Sequence, residues 1–338
     1  MSDSLPPQCD VAIIGGGYAG VATAWWLAQH GVRNVVLLER MSALAQHASG
    51  RNAGLGRQLC DDDATTALTV EGAAFHRQPH RGFEQVWSAV GGMLLFDTQA
   101  RLDDYVARAA RFAVPVMQPP GQLALLIASD GLIDVDHFAH AFAQGAVAGG
   151  TQIFTSCAVE QATPVSAATQ LHTSRGAITA RVVVDAGGAW AGRLFGRHDL
   201  APHKRHVAFA AGALAGDAPY RWRLGPHEAY VRPLSGRLLF SPCDETPCDA
   251  DDAALHPELM SLLNHQAAAA DLGVAMDFTL ANARACLRTY TPDRLMRLGA
   301  DADIPGLAWA VGLGGHGATA APAVGRIVAD AVLQMLRC

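Results

Sequence analysis

The fold of this chain is decided by residues 11–39, VAIIGGGYAGVATAWWLAQHGVRNVVLLE. An apolar run at 11–14 ends in a glycine-rich turn, a helical pattern follows and ends at Gly31, and a second apolar run occupies 35–38. Apolar runs without alternation are typical of strands buried on both faces of a parallel sheet, and a parallel pair requires a crossover such as this helix. The stretch therefore predicts a strand–turn–helix–strand unit.

The turn has the spacing Gly15-x-Gly17-x-x-Gly20, and Glu39 ends the second strand. Gly15 permits the tight turn, Gly17 lets the backbone approach a pyrophosphate, and Gly20 allows close packing of the helix. The helix N-terminus offers free N–H groups to phosphates, while Glu39 can accept hydrogen bonds from ribose hydroxyls. A glycine-rich loop alone occurs in many α/β proteins, but with the strand, the helix and the acidic residue it indicates a dinucleotide site.

The remaining sequence patterns are of two kinds. Continuous apolar runs and long helical patterns predict further buried strands at 151–155, 181–185 and 307–311 and helices at 135–148 and 320–336. Alternating stretches cut by prolines within 201–250 predict antiparallel strands, while 64–112 predicts two helices around a strand at 92–96.

These two kinds of hydrophobic pattern predict an α/β protein. We expect a Rossmann-like dinucleotide-binding domain with a parallel sheet, and an α+β substrate domain with a largely antiparallel sheet. The first domain would be discontinuous, comprising residues 1–60, 131–200 and 295–338, and the second would comprise 61–130 and 201–294. The ligand is expected between them.

Composition excludes several classes of function. Of the 338 residues, 50% are hydrophobic and only 17% are charged, which predicts a folded chain with a large core. With 25 Lys+Arg against 31 Asp+Glu, a net charge of −6 and no basic run, neither nucleic acid nor an anionic membrane is an expected partner. No apolar run reaches membrane-spanning length, and the N-terminus lacks a secretory pattern.

The cysteines favour a reducing, cytoplasmic setting. The seven are scattered without a CxxC pair, so neither a disulfide framework nor a zinc site is expected. They are Cys9, Cys60, Cys157, Cys243, Cys248, Cys286 and Cys338.

Two further loops extend the dinucleotide prediction toward FAD. SGRNAG at 49–54 is a polar loop suited to wrap a long dinucleotide, and GLGGHGAT at 312–319 follows a strand and opens the last helix. A second glycine-rich helix start can aim backbone N–H groups at an anion, and a reduced flavin is an anion on its pyrimidine side.

The ordered motifs resemble the D-amino acid oxidase superfamily of FAD-dependent oxidoreductases. After VAIIGGGYAG with Glu39-Arg40 and SGRNAG come VVVDAGGAW at 182–190, LRTYTPD at 287–293 and GLGGHGATAAPAVG at 312–325. The chain looks like the amine-oxidising branch with glycine oxidase, monomeric sarcosine oxidase and D-arginine dehydrogenase. By position, the resemblance implies FAD contacts from Gly15, Gly17, Gly20, Glu39, Arg40, Ser49, Arg51, Asn52, Ala53, Val159, Gly187, Trp190, Gly314, Gly315 and Gly317.

The resemblance also implies substrate contacts. Tyr230 in EAYVRP and Arg288 in CLRTYTPD stand where the family contacts the substrate carboxylate, and a guanidinium suits a planar carboxylate because it donates two parallel hydrogen bonds. His47 matches a histidine of the D-arginine dehydrogenase type, although a water-facing loop histidine is an equal alternative. Arg205 and His206 could line the mouth of the cavity, but surface charge is their expected role.

The implied activity is oxidation of an amino acid of the D-amino acid, glycine or N-methyl type. A hydride would pass from the substrate Cα to flavin N5, and the imine would hydrolyse to a 2-oxo acid and ammonia. A 2-hydroxy-acid dehydrogenase would use the same arginine. A non-catalytic FAD-carrying subunit is the other alternative, because residues 113–130 are shorter than in relatives. The electron acceptor, oxygen or a quinone, stays open.

Cys286 is a further cofactor candidate. It matches the position at which monomeric sarcosine oxidase carries the cysteine bonded to flavin, and a neighbouring Arg288 would favour the thiolate that this bond requires. The simpler alternative is a buried cysteine that packs as a small hydrophobe.

Overall fold

The computed structural model describes residues 4–214, 218–252 and 254–337; Cys338 lies outside these ranges. Within them lie the helices α1 (Tyr18–Gln29), α2 (Asp63–Arg77), α3 (Gln99–Arg111), α4 (Val135–Ala148), α5 (Leu259–Ala270) and α6 (Gly317–Arg337). The strands in the same ranges are β1 (Gln8–Ile14), β2 (Val35–Leu38), β3 (Leu55–Gly56), β4 (Trp87–Ser88), β5 (Gly92–Leu95), β6 (Ala124–Ile127), β7 (Gly131–Ile133), β8 (Gln152–Phe154), β9 (Val159–Val165), β10 (Ala168–Thr173), β11 (Gly176–Asp185), β12 (Ala201–Ala211), β13 (Tyr220–Arg223), β14 (Ala229–Leu234), β15 (Arg237–Ser241), β16 (Thr246–Pro247), β17 (Asp277–Tyr290), β18 (Arg297–Ala300) and β19 (Leu307–Val311).

The first sheet has the order β18-β19-β11-β1-β2-β8. Its strands from β19 to β8 are parallel, as predicted, and a hairpin of β9 and β10 extends from β11. In register, Ile14, Leu38 and Asp185 lie side by side at the ends of β1, β2 and β11. The residues that follow these three therefore meet at one edge of the sheet, where ligands bind in open α/β folds.

Helices α1, α4 and α6 cover one face of this sheet. Trp25 belongs to the apolar core that they form with β1, β2, β11 and β19. The last helix begins three residues earlier than predicted, at Gly317. Its N-terminus is thereby brought to the sheet edge that carries the glycine turn.

The second sheet is largely antiparallel and has the order β16-β12-β15-β14-β13-β5-β6, with β17 paired to β12. The sequence of β12 alternates, but the strand does not have one buried and one exposed face. Val207 and Phe209 pack into one core, while Ala208 and Ala210 pack into another beside α5. Both faces of β12 are covered there, so Lys204, Arg205 and His206 are buried as well.

Residues 113–130 contain strand β6, which pairs antiparallel with β5 at the edge of the second sheet. This segment, which is shorter than in relatives, therefore extends the second sheet. A third, small sheet of β3, β7 and β4 joins the segments around residues 55, 87 and 132. The domain boundaries stay a prediction.

The described ranges contain neither a membrane-spanning helix nor a cluster of metal ligands. No helix there is long and apolar enough to cross a membrane. No group of three or more His, Cys, Asp or Glu residues there is placed to hold a metal ion. The six cysteines in these ranges are free thiols.

Candidate active site

Two adjoining cavities lie at the carboxyl edge of the first sheet. We call them the glycine cavity, of about 370 Å³, and the arginine cavity, of about 300 Å³. The glycine cavity is lined by the glycine turn and α1, and the arginine cavity by the second sheet and the residues after β3. The wall that they share consists of Asn52, Arg288, Gly312, Leu313, Gly314 and Gly315.

The glycine turn forms a cradle for an anion. Gly15 has a φ of +104°, and a Cβ there would lie 2.5 Å from the Ala186 carbonyl oxygen, so no other residue fits this turn. A Cβ at Gly20 would lie 2.0 Å from the Gly15 carbonyl oxygen, which confirms the predicted close packing of α1. Gly17 precedes α1 without a side-chain cap, and the first turn carries no acidic residue. The positive end of α1 is therefore free for phosphate oxygens.

Glu39 and Ser49 complete the rim of this cradle. Glu39 is buried, and its two carboxylate oxygens accept the backbone N–H groups of Gly16 and Met41, each at 2.7 Å. A carboxylate oxygen has a second lone pair, so Glu39 can still accept from a ribose hydroxyl. Ser49 Oγ accepts the Tyr18 N–H at 3.0 Å and keeps its own proton to donate.

His47 lies in the wall of the glycine cavity. Its ring contacts Trp190 at 4.6 Å, and the Arg40 guanidinium lies 3.8 Å from the same indole. The loop is held there because Ala45 N–H donates to the Gly16 carbonyl at 3.1 Å. His47 shares the glycine cavity with Arg288, but it is absent from the arginine cavity, so the structure does not bring it together with Tyr230.

Most of the predicted FAD contacts line the glycine cavity. They are Gly15, Gly17, Glu39, Arg40, Ser49, Asn52, Val159, Gly187, Trp190, Gly314, Gly315 and Gly317. Three others lie elsewhere: Gly20 packs inside α1, Ala53 lines the arginine cavity, and Arg51 Nη1 donates to the Ala285 carbonyl at 3.3 Å.

Cys286 lines neither cavity. Its side chain is 0% exposed, and its thiol donates to the Arg51 carbonyl oxygen at 3.0 Å. Burial raises the pKa of Cys286, and this effect exceeds the opposite one of Arg288 and other nearby arginines. The structure therefore holds Cys286 as a packed, protonated thiol, contrary to the thiolate expected from its neighbour.

Arg288 and Tyr230 both line the arginine cavity. Arg288 is 5% exposed, its Nη1 donates to the Leu287 carbonyl at 3.2 Å, and its Nε has no partner. The Tyr230 hydroxyl is buried and likewise has no partner. Burial raises the pKa of Tyr230 to about 12, so this hydroxyl is a donor at neutral pH. Two residues that line the same cavity thus each carry a buried donor without an acceptor, which suits a ligand carboxylate.

The backbone of the last glycine loop leaves room for Arg288. Gly315 has a φ of +102°, and a Cβ at that position would lie 2.8 Å from Arg288 Nε. The guanidinium thus packs directly on the loop that separates the two cavities.

Arg205 and His206 are buried, so the predicted surface role is wrong. Arg205 lines the arginine cavity, and its Nη2 donates to Glu245 at 2.7 Å. Glu245 also accepts from Tyr290 and Arg294, while His206 Nδ1 lies 2.7 Å from Asp244. The reason is the interior position of β12, whose two edges pair with β17 and with β15 and β16.

Two further residues of the arginine cavity were not identified from the sequence. The His316 Nδ1 lies 3.5 Å from Cys60 Sγ, and burial together with Arg57, Arg205 and Arg288 lowers the pKa of His316 well below its usual value. Its ring is therefore uncharged at neutral pH. Arg57 follows β3 and packs on Trp222. The only available signals were the placement of His316 within the glycine loop and of Arg57 three residues beyond SGRNAG.

Comparisons with known proteins agree with this arrangement. The model of the DAO family, described as FAD dependent oxidoreductase, matches residues 10–331. Mitochondrial sarcosine dehydrogenase of Mus musculus is 27% identical over 220 residues, which are 57% of this chain and 24% of that protein. The human sarcosine dehydrogenase gives the same identity over 225 residues. The chain thus matches about a quarter of the length of these curated relatives.

Solved structures share the fold over nearly the whole chain. Glycine oxidase from Geobacillus kaustophilus superposes with a TM-score of 0.80 at 23% identity, covering 97% of this chain and 95% of that one. L-proline dehydrogenase from P. horikoshii superposes with a TM-score of 0.86 at 20% identity, covering 98% and 94%.

Proposed function

Because this chain belongs to the DAO family of FAD-dependent oxidoreductases, we propose that it oxidises a small α-amino acid with FAD as the bound oxidant. The observation that carries the proposal is the pair of buried donors without partners, Arg288 Nε and the Tyr230 hydroxyl, in a cavity that adjoins the cofactor cradle. Together they match the acceptor pattern of an amino acid carboxylate.

The residues of the glycine cavity suit FAD. The turn at Gly15 and Gly17 and the uncapped start of α1 would hold the diphosphate, and Glu39 would hold a ribose. The loop Gly314–Gly315 and the start of α6 would lie under the flavin ring. When bound, FAD accepts two electrons and a proton from the substrate as a hydride.

The chain itself contributes orientation and charge. Arg288 would fix the rotation of the carboxylate through parallel hydrogen bonds, and Tyr230 would donate a third. The substrate would lose a hydride from Cα and a proton from nitrogen, and the resulting imine would take up water to give a 2-oxo acid and ammonia. The uncharged His316 adds no further positive charge beside the substrate amine.

An anaerobic screen of D- and L-amino acids tests the proposal, with bleaching of the flavin band as the signal. Ammonia released in proportion to the 2-oxo acid would support it. Bleaching by 2-hydroxy acids without ammonia would assign the alternative dehydrogenase activity. Absence of bleaching with every compound would favour a non-catalytic FAD-carrying role, which the buried unpartnered donors argue against. Admission of air afterwards shows whether oxygen is the electron acceptor.

A further inference from the structure

The arginine cavity contains a second buried arginine with unused donors. Arg57 is 4% exposed, and its guanidinium carbon lies 4.0 Å from the centre of the Trp222 ring. Neither its Nε nor its Nη1 has a hydrogen-bond partner. A buried charged donor without an acceptor is costly, and a residue in a cavity wall can take that acceptor from a ligand.

The carboxylates around Arg57 are engaged by other donors. Asp61 accepts the Tyr105 hydroxyl at 2.8 Å, and Glu228 accepts the Trp222 indole N–H at 2.9 Å. Both line the same cavity, and the guanidinium of Arg57 stays charged because arginine is not deprotonated in proteins. The Nε and Nη1 hydrogens are nevertheless left over for a ligand.

Arg205 is a third buried arginine of this cavity, and its donors are used differently. Its Nη2 donates to Glu245, and its Nε lies 3.3 Å from the Asp244 carbonyl oxygen. Arg205 therefore has acceptors within the chain, whereas Arg57 and Arg288 retain unused donors.

The two unsatisfied arginines occupy different parts of the cavity. Arg288 lines both cavities and is next to the cofactor cradle, whereas Arg57 lines the arginine cavity alone. Trp222 lies between Arg57 and Tyr230, because its ring packs on the guanidinium and contacts the Tyr230 ring at 4.8 Å. A ligand whose first carboxylate is held by Arg288 and Tyr230 thus extends past Trp222 toward a second anion receptor.

We propose that the substrate is an acidic amino acid, whose side-chain carboxylate is bound by Arg57. This inference rests on the proposed function, because it assumes that Arg288 holds the α-carboxylate. A neutral amide of the same size would offer Arg57 a weaker acceptor without charge. The preference between acid and amide therefore reports on this contact.

The experiment uses the FAD-loaded protein and compares aspartate and glutamate with asparagine and glutamine, as both enantiomers. Wild type should show a higher kcat/KM for the acid than for its amide. Arg57→Met keeps the packing on Trp222 but removes the charge, and it should lower kcat/KM for the acid by at least about thirtyfold while changing that for the amide far less. Arg57→Lys should restore part of the preference. Arg294→Gln is the matched control, because Arg294 lines the same cavity but is exposed and already paired with Glu245. This variant should leave the ratio of kcat/KM for acid and amide unchanged.

A binding measurement separates this inference from the proposed function. Glutarate and its monoamide are titrated into wild type and Arg57→Met, and the thermal midpoint and the flavin absorbance are followed. If glutarate stabilises wild type but not Arg57→Met, the anion site is supported. If in addition no amino acid reduces the flavin of this protein, the amino acid oxidase function is refuted. Turnover of amino acids with equal or better use of the amide, or an equal loss for acid and amide in Arg57→Met, would overturn the inference alone.

Discussion

Arg288→Ala removes the guanidinium that lies between the two cavities. The side chain is buried, one of its donors is free, and the Tyr230 hydroxyl beside it is also free. Removal of the arginine would leave a bound carboxylate with that hydroxyl alone. Loss of one partner from a buried, hydrogen-bonded charge pair costs about 3 to 5 kcal/mol. At about 1.4 kcal/mol per factor of ten, kcat/KM should fall by about 140-fold to 3,700-fold.

The assay is anaerobic reduction of the flavin by the best amino acid and by its decarboxylated amine. Wild type should react much faster with the amino acid, whereas Arg288→Ala should treat the two compounds nearly alike. Flavin should stay bound, because the hydrogen bonds of Glu39 and Ser49 around the glycine turn do not involve Arg288. Arg284→Ala is the matched control, since Arg284 lies on the same strand, β17, but lines neither cavity. Unchanged kcat/KM for the amino acid in Arg288→Ala would refute the carboxylate contact.

Three further predictions concern the cofactor and the fold. Gly17→Val should yield a folded protein without flavin, because a Cβ there meets only Ser49 Oγ, at 3.1 Å, while the larger side chain fills the phosphate cradle. The ratio of flavin to protein and the circular dichroism spectrum check this prediction. Gly31→Ala is the control and should retain flavin. Cys286 should form no bond to FAD, so acid precipitation should leave all flavin fluorescence in the supernatant, and fluorescence in the pellet would contradict the packed thiol. Burial raises the pKa of Asp130 to about 6. Between pH 4 and 6 the folded chain therefore holds a proton that the unfolded chain has released. The free energy of unfolding should fall by about 3 kcal/mol as pH rises through this range. Asp130→Asn should flatten this fall in thermal scans, and an identical profile would exclude Asp130 as its cause.

Local patterns predicted the elements of the first sheet well. The helix expected at 135–148 has those bounds, and the strand expected at 307–311 is β19. Both are continuous apolar or amphipathic segments that end at clear turn signals, so neighbours in sequence were sufficient to define them. The strand expected at 181–185 begins earlier, at Gly176, because its first half pairs with β10 in a hairpin that periodicity does not reveal.

Pairing between distant segments decided which charges are buried. Arg205 is charged and lies in an alternating stretch, which favoured an exposed face, but β12 pairs with β17 about 80 residues later in the chain and is covered on both sides. His47 stands near the cofactor motifs in sequence, yet its loop is tied back to the glycine turn and away from Tyr230.

The sequence alone determined the cofactor cradle, because a turn with a positive φ, an uncapped helix start and an acidic strand end are all specified within 29 residues. It also predicted Arg288 and Tyr230 as contacts of a substrate carboxylate, through their positions in ordered motifs, and that role stays a prediction. Only the tertiary structure brought Arg57, Trp222 and Tyr230 into one cavity and left Arg57 with unused donors. Whether a buried charge is satisfied depends on which groups from distant strands come within hydrogen-bond distance of it, and no local pattern encodes those distances.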